Sequence, residues 1–136
     1  YRTMTVFSHI KSWLPSAIVV AVIIYATLFP DPAGADRLPD IPGMDKLIHA
    51  IMFGGMAGAL AFDYERARFR KRPEPRVMLL CCIVSLAFGG LIELLQGAMG
   101  LGRGADWLDF AADAVGVAVA YFAAPPAIKT VLARKG

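Results

Sequence analysis

Residues 77–101, VMLLCCIVSLAFGGLIELLQGAMGL, decide how this chain is read. Over that length the only charged side chain is Glu93. A membrane-crossing helix needs roughly 20 consecutive, mostly apolar residues, whereas a surface helix of a soluble domain carries a polar face along its length. The stretch is therefore expected to be a membrane helix, long enough to tilt or project beyond the bilayer. Glu93 and Gln96 are three residues apart and share one side of it. A carboxylate at that depth is costly unless it is paired or hydrated, so Glu93 is a functional candidate. The Gly97, Gly100, Gly102 and Gly104 series then breaks the helix into a tight loop.

Three more runs of the same kind flank it. Trp13 to Phe29 is almost uncharged, with Pro15 near its start, where a helix accepts proline, and Trp13 placed for an interface. A cleaved secretory signal is the rival reading there, since Ala33-Gly34-Ala35 follows. Met44 to Phe62 comes next, and its Gly54 and Gly58 have the small-xxx-small spacing that lets helices approach closely. Asp106 to Ala124 is the last run, and Pro125-Pro126 is expected to end or kink it before a short basic tail. With 57% hydrophobic residues and a mean hydropathy of +0.57, the chain reads as one domain over residues 1–136. The expected fold is an all-α integral membrane four-helix bundle, with helices near 13–29, 44–62, 77–101 and 106–124.

Two other function classes recede. The basic cluster Arg66, Arg68, Arg70, Lys71, Arg72 and Arg76 lies between two apolar runs, inside a segment 63–76 read as a solvated loop near lipid headgroups. No nucleic-acid partner is expected from it. Cys81 and Cys82 are adjacent within an apolar run and read as buried, inert side chains. The glycines match no phosphate-binding pattern.

Lysine and arginine sort by side of the membrane. With four spans, the N-terminus, the middle loop and the C-terminus share one side. They hold eleven of the fourteen basic residues, leaving Arg37, Lys46 and Arg103 on the other. The expected orientation is N-in and C-in.

This topology brings separate polar residues to one level. Asp45, Lys46 and His49 open the second helix, Glu93 and Gln96 close the third, and Arg103 lies in the outer loop. Asp106, Asp109 and Asp113 occupy one stripe of the fourth helix with Gly116 and Ala120. At ~1.5 Å per residue, Glu93 lies about 12 Å below Leu101 and Asp113 about 10 Å below Asp106. The result is a polar pocket at the outer surface, closed below by small apolar residues. His49 with Glu93 and Asp109 can perform acid–base chemistry or bind a divalent metal. Lys46 and Arg103 can grip a phosphate or carboxylate. Asp45, Gln96, Asp106 and Asp113 complete the set as ligand contacts. A salt-bridge network that only fixes packing is the plainer reading.

The ordered set Asp45-Lys46-x-x-His49 with Phe53, Glu93-x-x-Gln96, and Arg103-x-x-Asp106-x-x-Asp109-x-x-x-Asp113-x-x-Gly116 resembles the VanZ-like family of small membrane proteins. The resemblance covers about residues 13–124. It implies a four-helix membrane domain, similar to proteins linked to resistance against the lipid-tailed glycopeptide teicoplanin. The family pattern usually has asparagine where this chain has Asp113, which adds a charge or a proton there.

Three functions compete. The first is a pocket that binds or processes an amphiphile in the outer leaflet: a lipid-linked cell-wall precursor, a phospholipid headgroup or a lipoglycopeptide. The second is a structural or partner-binding membrane module. The third is a proton-coupled transporter element, which four helices enclose only narrowly, so that an oligomer would be needed. Both catalysis and simple binding are open to the same residues.

Overall fold

The computed structural model describes residues 13–28, 43–68, 72–99 and 107–135. Among these residues there are four α-helices and no strand: α1 Leu14–Leu28, α2 Met44–Ala67, α3 Pro75–Met99 and α4 Trp107–Lys135. Local sequence explains several of the starts. Pro75 opens α3, where its missing N–H costs nothing, and the Glu74 carbonyl accepts the amide of Met78 at 3.0 Å. Gly43 precedes α2 at φ +79°, a left-handed conformation that a side chain disfavours. Its carbonyl accepts the Leu47 amide at 3.1 Å and so begins the helical ladder.

The pattern of burial is inverted relative to a soluble bundle. Leu47, Ile51, Leu80, Leu94, Val115 and Phe122 point outward and are exposed, while His49, Asp63, Glu65, Glu93, Gln96 and Asp113 are buried. In water, such a continuous apolar exterior would be an aggregation surface. In lipid it is the expected exterior, with polar side chains turned toward the bundle interior. α2, α3 and α4 have 24, 25 and 29 residues and are long and apolar enough to cross a membrane. α1 has 15 residues, about 22 Å at 1.5 Å per residue, and is shorter than a full span. Of the expected first helix, Phe29 lies outside the described residues.

α2 and α4 run in the same direction and form the most extensive helix pair. Lys46 faces Asp109 and His49 faces Asp113. Further along, Ala50 and Gly54 meet Gly116, and Gly58 lies against Ala124. The small side chains at these crossings bring the two backbones into direct contact, the packing expected where lipid gives helices no hydrophobic reason to associate. The apolar core joins Phe53, Met56, Ala57, Met78, Ile92, Val117 and Ala120.

α1 packs on α2 and α3, and each of its ends is held by a side chain from another helix. At its N-terminus, the Ser16 amide and hydroxyl both donate to Asp63 Oδ2, at 2.9 and 2.6 Å. Asp63 of α2 thus serves as an N-cap from outside the helix, satisfying an amide with no partner in its own helix. At the C-terminal end, Gln96 Nε2 of α3 donates to the Thr27 carbonyl at 2.7 Å.

Two expectations are corrected. The second helix does not stop at Phe62 but continues to Ala67. Asp63 and Glu65, read from sequence as part of a solvated loop, are fully buried. Asp63 is drawn inside by the α1 terminus and is also paired with Arg66 at 3.2 Å. Nor does the fourth helix end at Pro125-Pro126; it runs on to Lys135. Two amide donors are lost there. The buried stripe Asp113, Val117, Ala120, Pro125, Ile128 and Leu132 nevertheless continues across the prolines, and the packing of Ile128 and Leu132 offsets that loss.

Candidate functional site

α2 and α4 begin, and α1 and α3 end, at one end of the bundle, and the polar cluster lies there. His49 stands at its centre, 7% exposed. Its Nδ1 is 3.0 Å from Asp113 Oδ1 and its Nε2 is 3.5 Å from Asp109 Oδ2. Lys46 Nζ donates to Asp109 Oδ1 and, at 3.1 Å, to Asp45 Oδ2. Glu93 reaches the same place from α3: one donor atom each from His49, Glu93 and Asp109 lie within 4.8 Å of one another. Glu93 and Asp113 are fully buried.

The positions follow from helical spacing. Lys46 and His49 are three apart on α2, and Asp109 and Asp113 are four apart on α4, so each pair projects from one face. Because α2 and α4 are parallel and in close register, Lys46 meets Asp109 while His49 meets Asp113. His49 also stacks on Phe53, one turn along, with ring centroids 6.1 Å apart. The ring is thereby held by an aromatic face and a buried carboxylate together.

Asp113 is accommodated by a residue that the site reading had not singled out. A Cβ at Gly89 would lie 2.7 Å from Asp113 Oδ2 and 3.3 Å from Phe53. Any larger residue at 89 would expel the carboxylate or the ring. The signal was present in the sequence, since Gly89 precedes Glu93 by one helical turn on the same face. Asp113 Oδ2 is buried and has no hydrogen-bond partner among the described residues, an uncommon state for a carboxylate oxygen.

The other expected site residues divide. Asp45 is at the rim, with a largely exposed side chain bound to Lys46. Gln96 is buried at the right level, but its amide nitrogen is engaged by Thr27 of α1. Arg103 and Asp106 lie outside the described residues. The residues brought together are therefore Lys46, His49, Glu93, Asp109 and Asp113, from three helices.

Such an arrangement can hold and move a proton. With Nδ1–H directed at Asp113, Nε2 is the ring atom left to accept a proton or bind a ligand. Asp109 is divided between Lys46 and His49, linking the exposed rim to the buried centre. An imidazole backed by a carboxylate is also the usual support of a metal-binding histidine.

A second feature lies on the same pair of helices. Along the α2–α4 seam lies an apolar cavity of about 540 Å³, bordered by Leu47, Ile51, Gly55, Val119, Ala123 and Ala127 among others. Its border begins one residue after Lys46 and follows α4 for some 18 Å, from Val115 to Ala127, at 1.5 Å per residue.

Comparisons of this chain with protein-family models, with curated proteins and with solved structures find no match.

Proposed function

We propose that this chain is a VanZ-like membrane protein, oriented N-in and C-in in a bacterial cytoplasmic membrane. Its polar cluster takes the headgroup of an amphiphile from the outer leaflet. The ligand class is a phospholipid, a lipid-linked cell-wall precursor or a lipoglycopeptide. The observation that carries this reading is the presence of two unlike surfaces on one helix pair. The Lys46–Asp109–His49 cluster offers charged and hydrogen-bonding groups, and the apolar seam with its small residues runs along the same α2 and α4. A polar head and an acyl chain need that pairing, because a pocket of one polarity leaves half of an amphiphile badly solvated. Lys46 is a described cation at the rim with a side chain about one-third exposed, and an anionic head there would join Asp45 and Asp109 around it.

Native mass spectrometry of the detergent-purified protein, mixed in turn with phosphatidylglycerol, a polyprenyl phosphate and teicoplanin, tests this. At least one should be retained, less by Lys46→Ala, which removes the head contact, and less by Val119→Trp, which obstructs the seam. Equal retention by both variants and the parent protein, or no retention of any probe, would overturn the reading. A structural module is favoured by one observation only: Gln96 spends its amide on tying α3 to α1. That assigns Gln96 to packing without extending to His49, Glu93, Asp109 and Asp113.

A further inference from the structure

We infer that His49, Glu93 and Asp109 form a binding site for one divalent first-row transition-metal ion, with Asp113 positioning His49. This goes beyond the amphiphile reading and does not depend on it.

Distance is the first ground. His49 Nε2 and Asp109 Oδ2 are 3.5 Å apart, longer than a good hydrogen bond, which runs to about 3.2 Å. Two ligands bound to one tetrahedral ion at ~2.1 Å would lie about 3.4 Å apart. This pair is thus separated as two donors flanking an ion would be. Glu93 has a carboxylate oxygen within 4.8 Å of a ligand atom on each of His49 and Asp109, so a closure of up to about 1.4 Å would complete a three-ligand set.

The second ground is the orientation of the histidine. Nδ1 is 3.0 Å from Asp113 Oδ1, and in the tautomer with its proton on Nδ1 that bond directs the proton away from Asp109 and Glu93. The Nε2 lone pair then points toward carboxylate oxygens, where only a proton or a cation makes the contact favourable. Fully buried Asp113 fixes the tautomer from behind, the arrangement in which a carboxylate orients a metal-bound imidazole. The stack on Phe53 and the space left by Gly89 hold both groups in register.

Donor chemistry is the third. One imidazole nitrogen with two carboxylates suits zinc or manganese. Three protein ligands also leave positions open for water or for a phosphate oxygen.

The test uses the full chain in detergent, stripped with EDTA, dialysed and titrated separately with Zn²⁺ and Mn²⁺. Bound metal is counted after desalting. One ion per chain is expected for at least one metal, with affinity reduced tenfold or more in Glu93→Gln and Asp109→Asn. Asp63→Asn, a buried change at the opposite end, should leave affinity unaltered. Asp113→Asn should weaken binding some 10- to 100-fold and change the visible spectrum of the Co²⁺-loaded protein, which a merely structural residue would not do. Metal-free thermal melts identify any variant that has lost its fold; Asp109→Asn, at a partly exposed side chain, keeps the core intact. Failure of the parent protein to retain either ion overturns the inference, as does equal affinity in the two ligand variants. Lipid retained by stripped protein that binds no metal would refute this site and leave the amphiphile pocket standing.

Discussion

Replacing Gly54 and Gly55 by alanine, one at a time, separates close packing from helix propensity. The two glycines are adjacent in α2, yet their surroundings differ. A Cβ at Gly54 would stand 2.7 Å from the Gly116 carbonyl oxygen and 3.1 Å from its carbon, whereas a Cβ at Gly55 meets nothing within 4 Å. Each substitution gains about 1 kcal/mol of helix propensity, and that gain cancels in the comparison. Carbon–oxygen contacts settle near 3.3–3.6 Å, so Gly54→Ala requires α2 and α4 to separate by roughly 0.6 Å or more. The atoms in the way are backbone, which no rotamer change can move. Overpacking of this kind costs about 1–3 kcal/mol. The same separation acts on His49 and Asp113, now 3.0 Å apart, little more than a turn away along α2. Chemical or thermal unfolding in detergent should therefore find Gly54→Ala less stable than Gly55→Ala by about 1–3 kcal/mol. A Gly54→Ala protein as stable as Gly55→Ala would refute the backbone contact between α2 and α4, and with it the register that sets the polar cluster.

Asp63→Ala removes the acceptor for the Ser16 amide, the Ser16 hydroxyl and Arg66; it should cost about 1.5–3 kcal/mol and speed hydrogen exchange in α1 more than in α3. Pro126→Ala should leave the helical content unchanged by circular dichroism, because α4 already continues to Lys135; a gain of two or more turns would show that the helix had ended at the prolines. Asp113→Asn keeps an acceptor for His49 and removes a buried charge, so unfolding stability should hold or rise by about 1 kcal/mol. A loss above 2 kcal/mol would instead make the carboxylate a stabilising element of the bundle.

Helical periodicity sufficed for what depends on one helix at a time. Glu93 and Gln96 on one stripe, and Asp109, Asp113, Gly116 and Ala120 on another, are buried or nearly so, facing the bundle interior as their spacing requires. Features arising between helices were harder to read. Asp63 follows Phe62 and precedes a basic run, so its local composition is that of a loop. Its burial depends on the amide of Ser16, 47 residues earlier. Pro125-Pro126 is a stop signal in isolation and is overridden by Ile128 and Leu132, whose partners lie elsewhere in the fold. Gln96 was placed at the correct level, but the claim of Thr27 on its amide is a contact with the end of α1 that no spacing within α3 reveals.

Asp63 and Asp113, one toward each end of the bundle, are buried carboxylates that differ in how well they are satisfied, and this bears on the role of each. Asp63 receives three donors on its two oxygens, from Ser16 twice and from Arg66. A carboxylate so furnished is complete, and its evident work is to fasten α1 and α2. Asp113 is equally buried, but among the described residues it has one contact, from His49 on Oδ1, and none on Oδ2. An unsatisfied buried polar atom costs about 1–3 kcal/mol, and Gly89 adds the weaker helix propensity of glycine to make room for it. A network serving only to hold helices together would gain from a donor at that oxygen or from an apolar side chain in place of the carboxylate. Asp113 has neither, and the group it does support is His49, the residue on which Asp109, Glu93 and Asp113 converge. The local stability forgone around Asp113 therefore supports the proposed site beside His49, whereas Asp63 is a structural tie between α1 and α2.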